Sequence, residues 1–400
     1  MYNLVKLSKA ANYSTTRIDA NKVSLLNYVT TDSILQNKAG ISIATNLPPG
    51  GGTMPAFNPN NILVGNIRPY LKKIWFSNMQ GGCSADVLVF DVNKHYDPQF
   101  IYYCMFKDDF FSHVMKGAKG TKMPRGDKNQ ILNFLIPNIE LTYQKKISSL
   151  LSVLDEKIAL NQQINIQLDS MAKMLFDYWF VQFNFPNKNG QPYKTSGGEM
   201  KWNESLKREI PLGWDTGTLL DIAEYTNGLA CQKYRPIDAN FLRVIKIKEM
   251  NEGFSDNSES VRANVPQKII IKNGDVLFSW SASLDVKIWT GGKGALNQHI
   301  FKVASNRYPK SFYYFQLVNY LQHFKMMAET RKTTMGHITL EHLQQSRIAI
   351  PPTALIMKLD EILAPIFSMK INNEVENQKL SELRDWLLPM LMNNQVKVYE

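Results

Sequence analysis

The chain is poor in the residues that build most reactive sites. Its 400 residues hold only three cysteines, Cys83, Cys104 and Cys231, far apart and with no C-x-x-C pair. That spacing argues against a disulfide framework or a thiolate zinc site and fits reduced thiols in a cytoplasmic protein. The six histidines show no metal-ligand spacing, so no metal is expected. There is no G-x-x-x-x-G-K-[ST] segment, hence no phosphate-binding loop of the nucleotide-hydrolysing kind. Asn46-Leu-Pro-Pro-Gly50 has only a superficial likeness to the Asn-Pro-Pro-aromatic signature of amino-methyltransferases, because a leucine intervenes and no aromatic follows. Asp155 and Glu156 lack the further acidic residues of a nuclease site. No run approaches the roughly 18 apolar residues of a membrane span, and the start, MYNLVKLSKAANYS, has no signal-peptide core. These absences predict a cytoplasmic chain, free of the membrane, that binds no cofactor and catalyses nothing itself.

What the chain does have is basic charge and an internal repeat. Lys plus Arg total 46 against 35 Asp plus Glu, a net charge of +11, which favours a polyanionic partner. The repeat is read from ordered matches about 212 residues apart. Asn61-Ile-Leu-Val64 matches Asp275-Val-Leu-Phe278, Ile74-Trp75 matches Ile288-Trp289, and Val89-Phe90 matches Ile300-Phe301. Pro98 with Tyr102 and Tyr103 then matches Pro309 with Tyr313 and Tyr314, and Ile136-Pro137 matches Ile350-Pro351.

Each repeat ends in a long heptad-like stretch. From Tyr143 to Tyr178, steps of four and three pick out Ile147, Leu150, Leu154, Lys157, Asn161, Ile164, Leu168, Met171 and Leu175. The second series gives Leu355, Leu359, Ile362, Ile366, Met369, Asn373, Glu376, Leu380, Leu383 and Leu387. Asn161 and Asn373 at the centre are placed to set register at some cost in stability. Pro365 is expected to kink or restart the second helix.

The expected architecture is α+β: a tandem duplication of a globular mixed unit, each followed by a long helix, the two helices forming an antiparallel coiled-coil spacer. Its divisions are a first globular domain (1–140), a central helix (141–180), a linker (181–213), a second globular domain (214–352) and a C-terminal helix (353–400). The linker, lacking a periodic apolar set, reads as a polar connector. Short β-rich runs (62–64, 73–76, 86–92; 268–271, 275–280, 299–303) predict a twisted, largely antiparallel sheet in each domain. A helix of 36 residues spans about 54 Å, the length of roughly 16 base pairs.

Candidate contacts with a polyanion cluster in loops. Lys116, Lys119, Lys122, Arg125 and Lys128 form a cationic series among Gly117, Gly120, Pro124 and Gly126. A row of cations on backbone whose amides can approach closely suits phosphate contacts. The counterpart in the second repeat carries Arg331, Lys332, Thr333, Thr334 and His337. Further candidates are Thr15, Thr16, Arg17, Arg68, Lys72 and Lys73 in the first domain, and Lys233, Tyr234, Arg235, Trp280, Ser281 and Lys287 in the second. Side chains of these types can hydrogen-bond base edges. Trp75 and Trp289, at one repeat position on β-rich runs, read as core.

With Leu175-Phe-Asp-Tyr-Trp-Phe180, Ile210-Pro-Leu-Gly-Trp214, Leu219-Leu-Asp-Ile-Ala223 and Gly120-Thr-Lys-Met-Pro-Arg-Gly126, essentially the whole chain resembles the specificity subunit of type I restriction-modification systems. The resemblance implies two target-recognition domains, each reading half of a split site in double-stranded DNA. It also implies helices that hold the halves a fixed distance apart and dock two methyltransferase subunits, with restriction and motor subunits completing the complex. Those partners would use S-adenosylmethionine, ATP and Mg²⁺. The residues alone also admit a non-catalytic scaffold, a coiled-coil rod joining two protein-binding units, which sequence-selective DNA binding would exclude.

Overall fold

A computed structural model describes residues 2–48, 50–330 and 337–398. The chain divides into two compact units, one made of Met1–Ile158 with Lys379–Glu400 and the other of Ala159–Gln378.

The first unit is built on a four-stranded antiparallel sheet. Ile62–Gly65, an apolar run with every residue buried, pairs with Ile74–Phe76 on one side and Val87–Val92 on the other, and Ala11–Tyr13 forms the edge. Helix Pro98–Phe106 covers this sheet. Its start is fixed by Pro98 in the first turn and by Asp97, whose carboxylate accepts the Phe100 N–H at 2.8 Å. A second sheet sets Tyr28–Val29 parallel to Gly81–Cys83, which pairs antiparallel with Thr53–Phe57. Leu4–Lys6 and Leu135–Pro137 make a separate pair.

The second unit repeats this plan. Val276–Ser279 pairs with Asp285–Ile288 and Ile300–Ala304, with Glu224–Asn227 at the edge. Phe241–Ile245 runs parallel to Gly294–Leu296, which pairs antiparallel with Ile270–Ile271, and Asp215–Thr218 pairs with Arg347–Ile350. The second sheet differs only at its edge. Arg17–Asp19 adds to Thr53–Phe57 in the first unit, whereas Ser260–Arg262 adds to Phe241–Ile245 in the second. Trp289 is buried against this sheet's core, and Trp75 packs partly buried at the corresponding place in the first unit.

The linker is more than a connector. It carries a hairpin, Met200–Asn203 with Arg208–Pro211, and sends Phe183 and Phe185 into the core of the second unit beside Trp214. Phe185 stacks between Tyr193 and Trp214 at centroid distances of 4.6 and 5.4 Å. These aromatics are too irregularly spaced to show as a helix or strand period.

The central helix, Leu141–Phe176, continues into one π-type turn over Asp177–Val181. The C-terminal helix spans Thr353–Met392 without a break. The restart expected at Pro365 does not occur. Pro365 and Glu361, whose carbonyl loses its partner, both lie on the exposed face, where solvent can satisfy it. Leu363 and Phe367, both buried, hold the inner face.

In each unit the two helices run antiparallel. Arg384 meets Asp155 at 2.7 Å in the first. In the second, Asn161 meets Asn377 at 2.9 Å and Lys370 meets Asp169 at 2.7 Å. The seam contains Ile147, Leu154, Asn161, Leu168 and Leu175, and Leu359, Ile366, Asn373, Leu380 and Leu387, all buried or half-buried. The alternate positions fall one residue later than the heptad reading on both helices. Leu151, Asn165, Ala172, Leu363 and Asn377 face inward, while Leu150, Met171, Ile362, Met369 and Leu383 are 38, 45, 44, 51 and 43% exposed. The outward residues are apolar, which is why the pattern drew them into the seam.

The polar middle consists of four asparagines. Asn161 donates to Asn377 Oδ1 at 2.9 Å and to Glu376 Oε2 at 2.6 Å. Asn373 donates to Asn165 Oδ1 at 2.9 Å. Moving each residue of the first pair by the repeat length of 212 produces the second pair, so the contacts recur at the offset read in the sequence.

Candidate nucleic-acid interface

In the first unit the basic stretch folds into a tight hairpin. The backbones of Lys119 and Arg125 exchange two hydrogen bonds of 2.9 Å, Gly120 takes φ +97° to allow the turn, and Lys122 stands exposed at the tip. The hairpin is seated on the turn that follows strand Ile62–Gly65. Arg68 N–H donates to the Pro124 carbonyl at 2.8 Å, and Gly126 N–H to the Asn66 carbonyl at 3.2 Å. Arg68, in left-handed backbone at φ 53°, is thereby brought beside Lys119, Lys122 and Arg125, with Tyr70 and Met123 exposed on the same hairpin and turn.

Carboxylates shape this cluster. Arg125 pairs with Asp86 at 3.2 Å and Lys119 with Asp127 at 3.7 Å. The Asp127 carboxylate also caps the short helix beginning at Lys128, accepting the N–H groups of Asn129 and Gln130 at 2.9 Å. The Gln130 bond foremost, with the Asn129 bond and Lys119, holds its pKa below the usual carboxylate range. Lys116, at the end of helix Asp108–Lys116, is exposed. Lys128 lies over the Tyr13 ring at 5.6 Å, and Tyr13 OH donates to the Lys128 carbonyl at 2.9 Å, which ties this residue to the chain entering Thr15, Thr16 and Arg17. Both threonines are exposed; Arg17 is held by Thr53, its Nε donating to Oγ1 at 2.8 Å.

Two of the first-unit candidates are engaged elsewhere. Lys73 is 7% exposed, with its ammonium donating to the Thr31 carbonyl. Burial lowers its pKa, with Asp32 acting in the opposite sense; it is a structural residue. Lys72 is joined with Lys38 to Asp108, at 2.7 and 3.0 Å.

The second unit repeats the seating. Ala282 takes φ 59° at the repeat position of Arg68, and Ile338 N–H donates to the Trp280 carbonyl at 2.9 Å as Gly126 does to Asn66. Trp280 lies between two histidines, its ring 5.7 Å from His299 and 5.4 Å from His337, and its Nε1 donates to Asn227 Oδ1 at 3.2 Å. Ser281, expected to make contacts, is 3% exposed and packed away, because it follows a fully buried strand into the turn. Lys287 pairs with Asp285 at 3.8 Å. Lys233 and Arg235 are exposed, and Tyr234 is covered by Arg262 at 5.2 Å. Arg331, Lys332, Thr333 and Thr334 lie outside the described residues. Asn66, Tyr70, Asn227 and His299 are neighbours that sequence reasoning missed; only the matched turns identify them.

Among the described residues no group of three or more His, Cys, Asp or Glu could hold a metal ion, and no helix is long and apolar enough to cross a membrane. Asp155 is spent on Arg384 and on the Tyr103 hydroxyl, at 2.7 Å each.

Two globular units with one plan, each with a chain return bonded to a strand-end turn and each holding an antiparallel stretch of the long helices, match one family. The type I restriction modification DNA specificity domain matches twice, over residues 8–170 and 211–384, and the chain belongs to that family. It is a type I restriction-modification DNA specificity subunit with two specificity domains. It is similar to the HindI specificity subunit of Haemophilus influenzae, 24% identical over 447 residues that cover 95% of this chain and 96% of that protein. It is also 24% identical over 316 residues to the MjaIX specificity subunit of Methanocaldococcus jannaschii, covering 76% of this chain and 70% of the relative. The crystal structure of a type I restriction-modification S subunit from M. genitalium shares the fold at a TM-score of 0.58 and 12% identity, covering 98% of this chain and 96% of that one.

Proposed function

We propose that this chain reads a bipartite site in double-stranded DNA, one half with each unit, and aims partner subunits at it while catalysing nothing itself. The observation that carries this reading is the repeated junction: 66–68 under 124–126, and 280–282 under Ile338. It returns the chain to the same strand end in both halves. The surplus of basic residues supplies the sequence-independent part of the affinity, and the loop side chains supply the choice of bases.

The partners are two adenine methyltransferase subunits, with restriction and motor subunits added to the complex. S-adenosylmethionine, ATP and Mg²⁺ belong to them, and the assembly works in the cytoplasm. The outward apolar residues of the helices support docking there: Leu160, Ile166 and Met174 are 51, 65 and 66% exposed on the central helix, more than a chain without a partner usually leaves open.

The test is methylation-sensitive sequencing of a host that co-expresses the chain with its methyltransferase. A motif of two short halves around a fixed gap, with one methylated adenine in each half, is the expected result. A single undivided motif would mean that one unit is silent. A stable complex with no motif would leave the scaffold reading.

A further inference from the structure

The second unit contains a polar cleft lined by none of the residues assigned to DNA reading. It has a volume of about 460 Å³ and is formed where the end of the central helix, the linker hairpin, helix Lys310–Thr330 and strand Arg347–Ile350 meet. Its one carboxylate is satisfied: Asp177 is bonded to the Lys173 ammonium and accepts from Asn319 Nδ2 at 3.3 Å. Two arginines on its wall, Arg208 and Arg347, have no carboxylate partner among the described residues.

Both arginines line the cleft with Tyr320, whose hydroxyl donates to the Arg347 carbonyl at 2.6 Å. Burial raises the Tyr320 pKa, and the charges of Arg208 and Arg347 act against that rise. The Arg208 guanidinium is steadied at 5.0 Å over the Phe183 ring. Arg208 and Arg347 are both exposed, and the partial burial of the Arg208 guanidinium lowers its pKa, with Tyr320 opposing. The remaining feature is Gln316. It lines the cleft, is 9% exposed, and has no hydrogen-bond partner for its amide among the described residues. The amide is not itself shut off from solvent, so it opens to a ligand in the cleft.

We propose that this cleft is an oxyanion site for a phosphate dianion, either free or as the end of a small phosphomonoester, gripped by Arg208 and Arg347 with the Gln316 amide as a neutral donor. Three cations, Lys173, Arg208 and Arg347, against the single Asp177 leave an excess of two positive charges, which a phosphate dianion balances. Guanidinium forks suit the geometry of phosphate oxygens. Because the hairpin contributes Arg208 and the recognition unit contributes Arg347, an occupied site clamps the linker onto the unit it precedes.

The test is isothermal titration of the full chain, bound to its methyltransferase partner, with inorganic phosphate at constant ionic strength set by chloride. Saturable binding is expected, weakened at least tenfold in R208Q/R347Q and severalfold in Gln316→Leu. Glycerol phosphate as the titrant separates an ester from the free anion. Absence of saturation, or equal binding by wild type and R208Q/R347Q, overturns the proposal. If the double variant does not fold, Arg208→Lys keeps the charge and removes the fork; unchanged affinity there also overturns it. The methylated motif serves as an independent readout: it should be the same in every variant, so failure of the cleft and failure of DNA reading are told apart.

Discussion

Replacing Arg384 by methionine removes one half of an ion pair that joins three parts of the first unit. Arg384 lies on the C-terminal helix, its guanidinium 2.7 Å from Asp155 on the central helix and 4.5 Å over the ring of Phe106 in helix Pro98–Phe106. The side chains are 12 and 28% exposed, so the pair is largely shielded. Breaking a buried pair by deleting one partner costs about 3–5 kcal/mol, because the other charge is left stranded. Asp155 keeps its bond from Tyr103 and some access to water, which reduces the expected loss to about 2–3 kcal/mol. At about 2–4 °C per kcal/mol for a unit of this size, calorimetry should show its transition falling by roughly 5–10 °C. Adding Asp155→Asn should restore most of the loss, since the amide still accepts from Tyr103 and carries no charge. A fall of under about 2 °C for R384M, or a double variant no more stable than the single, would refute the reasoning.

The asparagine block offers a second test. N161L alone strands the Asn377 amide and should cost about 1–3 kcal/mol in urea unfolding, whereas N161L/N377L should be near neutral or stabilising. Lys122→Ala should weaken DNA binding evenly across sequences and lower the salt slope by about one ion; Lys73→Met should leave that slope unchanged, as measured by fluorescence anisotropy at several salt concentrations. A heptad inserted into one long helix alone should abolish assembly with the methyltransferase. Matched insertions in both should instead widen the gap in the methylated motif by about three base pairs, since seven residues add about 10.5 Å.

The repeat, the two helices and most strands could be read from the chain because apolar matches recurred in order, and Asn61–Val64 with Asp275–Phe278 alone aligned the two main sheets. Half of the seam was legible on the same grounds. The other half was not, because heptad reading ranks positions by hydrophobicity. Leu150, Ile362 and Leu383 point outward, while Asn165, Lys370 and Arg384 supply hydrogen bonds and ion pairs inside. An outward apolar strip looks like a core strip until the fold is known. Lys73 and Lys122 are alike as letters; only the packing of the strand beginning at Ile74 buries one and the hairpin turn exposes the other. The convergence of Trp280, His299 and His337 depends on a sheet register and a loop return that no spacing announces. Gln316 and Arg208 lie 108 positions apart and meet only across the linker hairpin.

The seating of the two loops has a consequence for how such a chain can change over time. The bonds that fasten each loop, Arg68 and Gly126 to Pro124 and Asn66, and Ile338 to Trp280, run from backbone to backbone. Backbone groups are the same whatever side chains the loop carries, proline donors aside. In the first unit, residues 121–123 between these anchor points can therefore change without touching the anchoring bonds. On the proposed reading, a new DNA address then needs only new side chains on a loop, while the spacing between the two addresses is set separately by the helices.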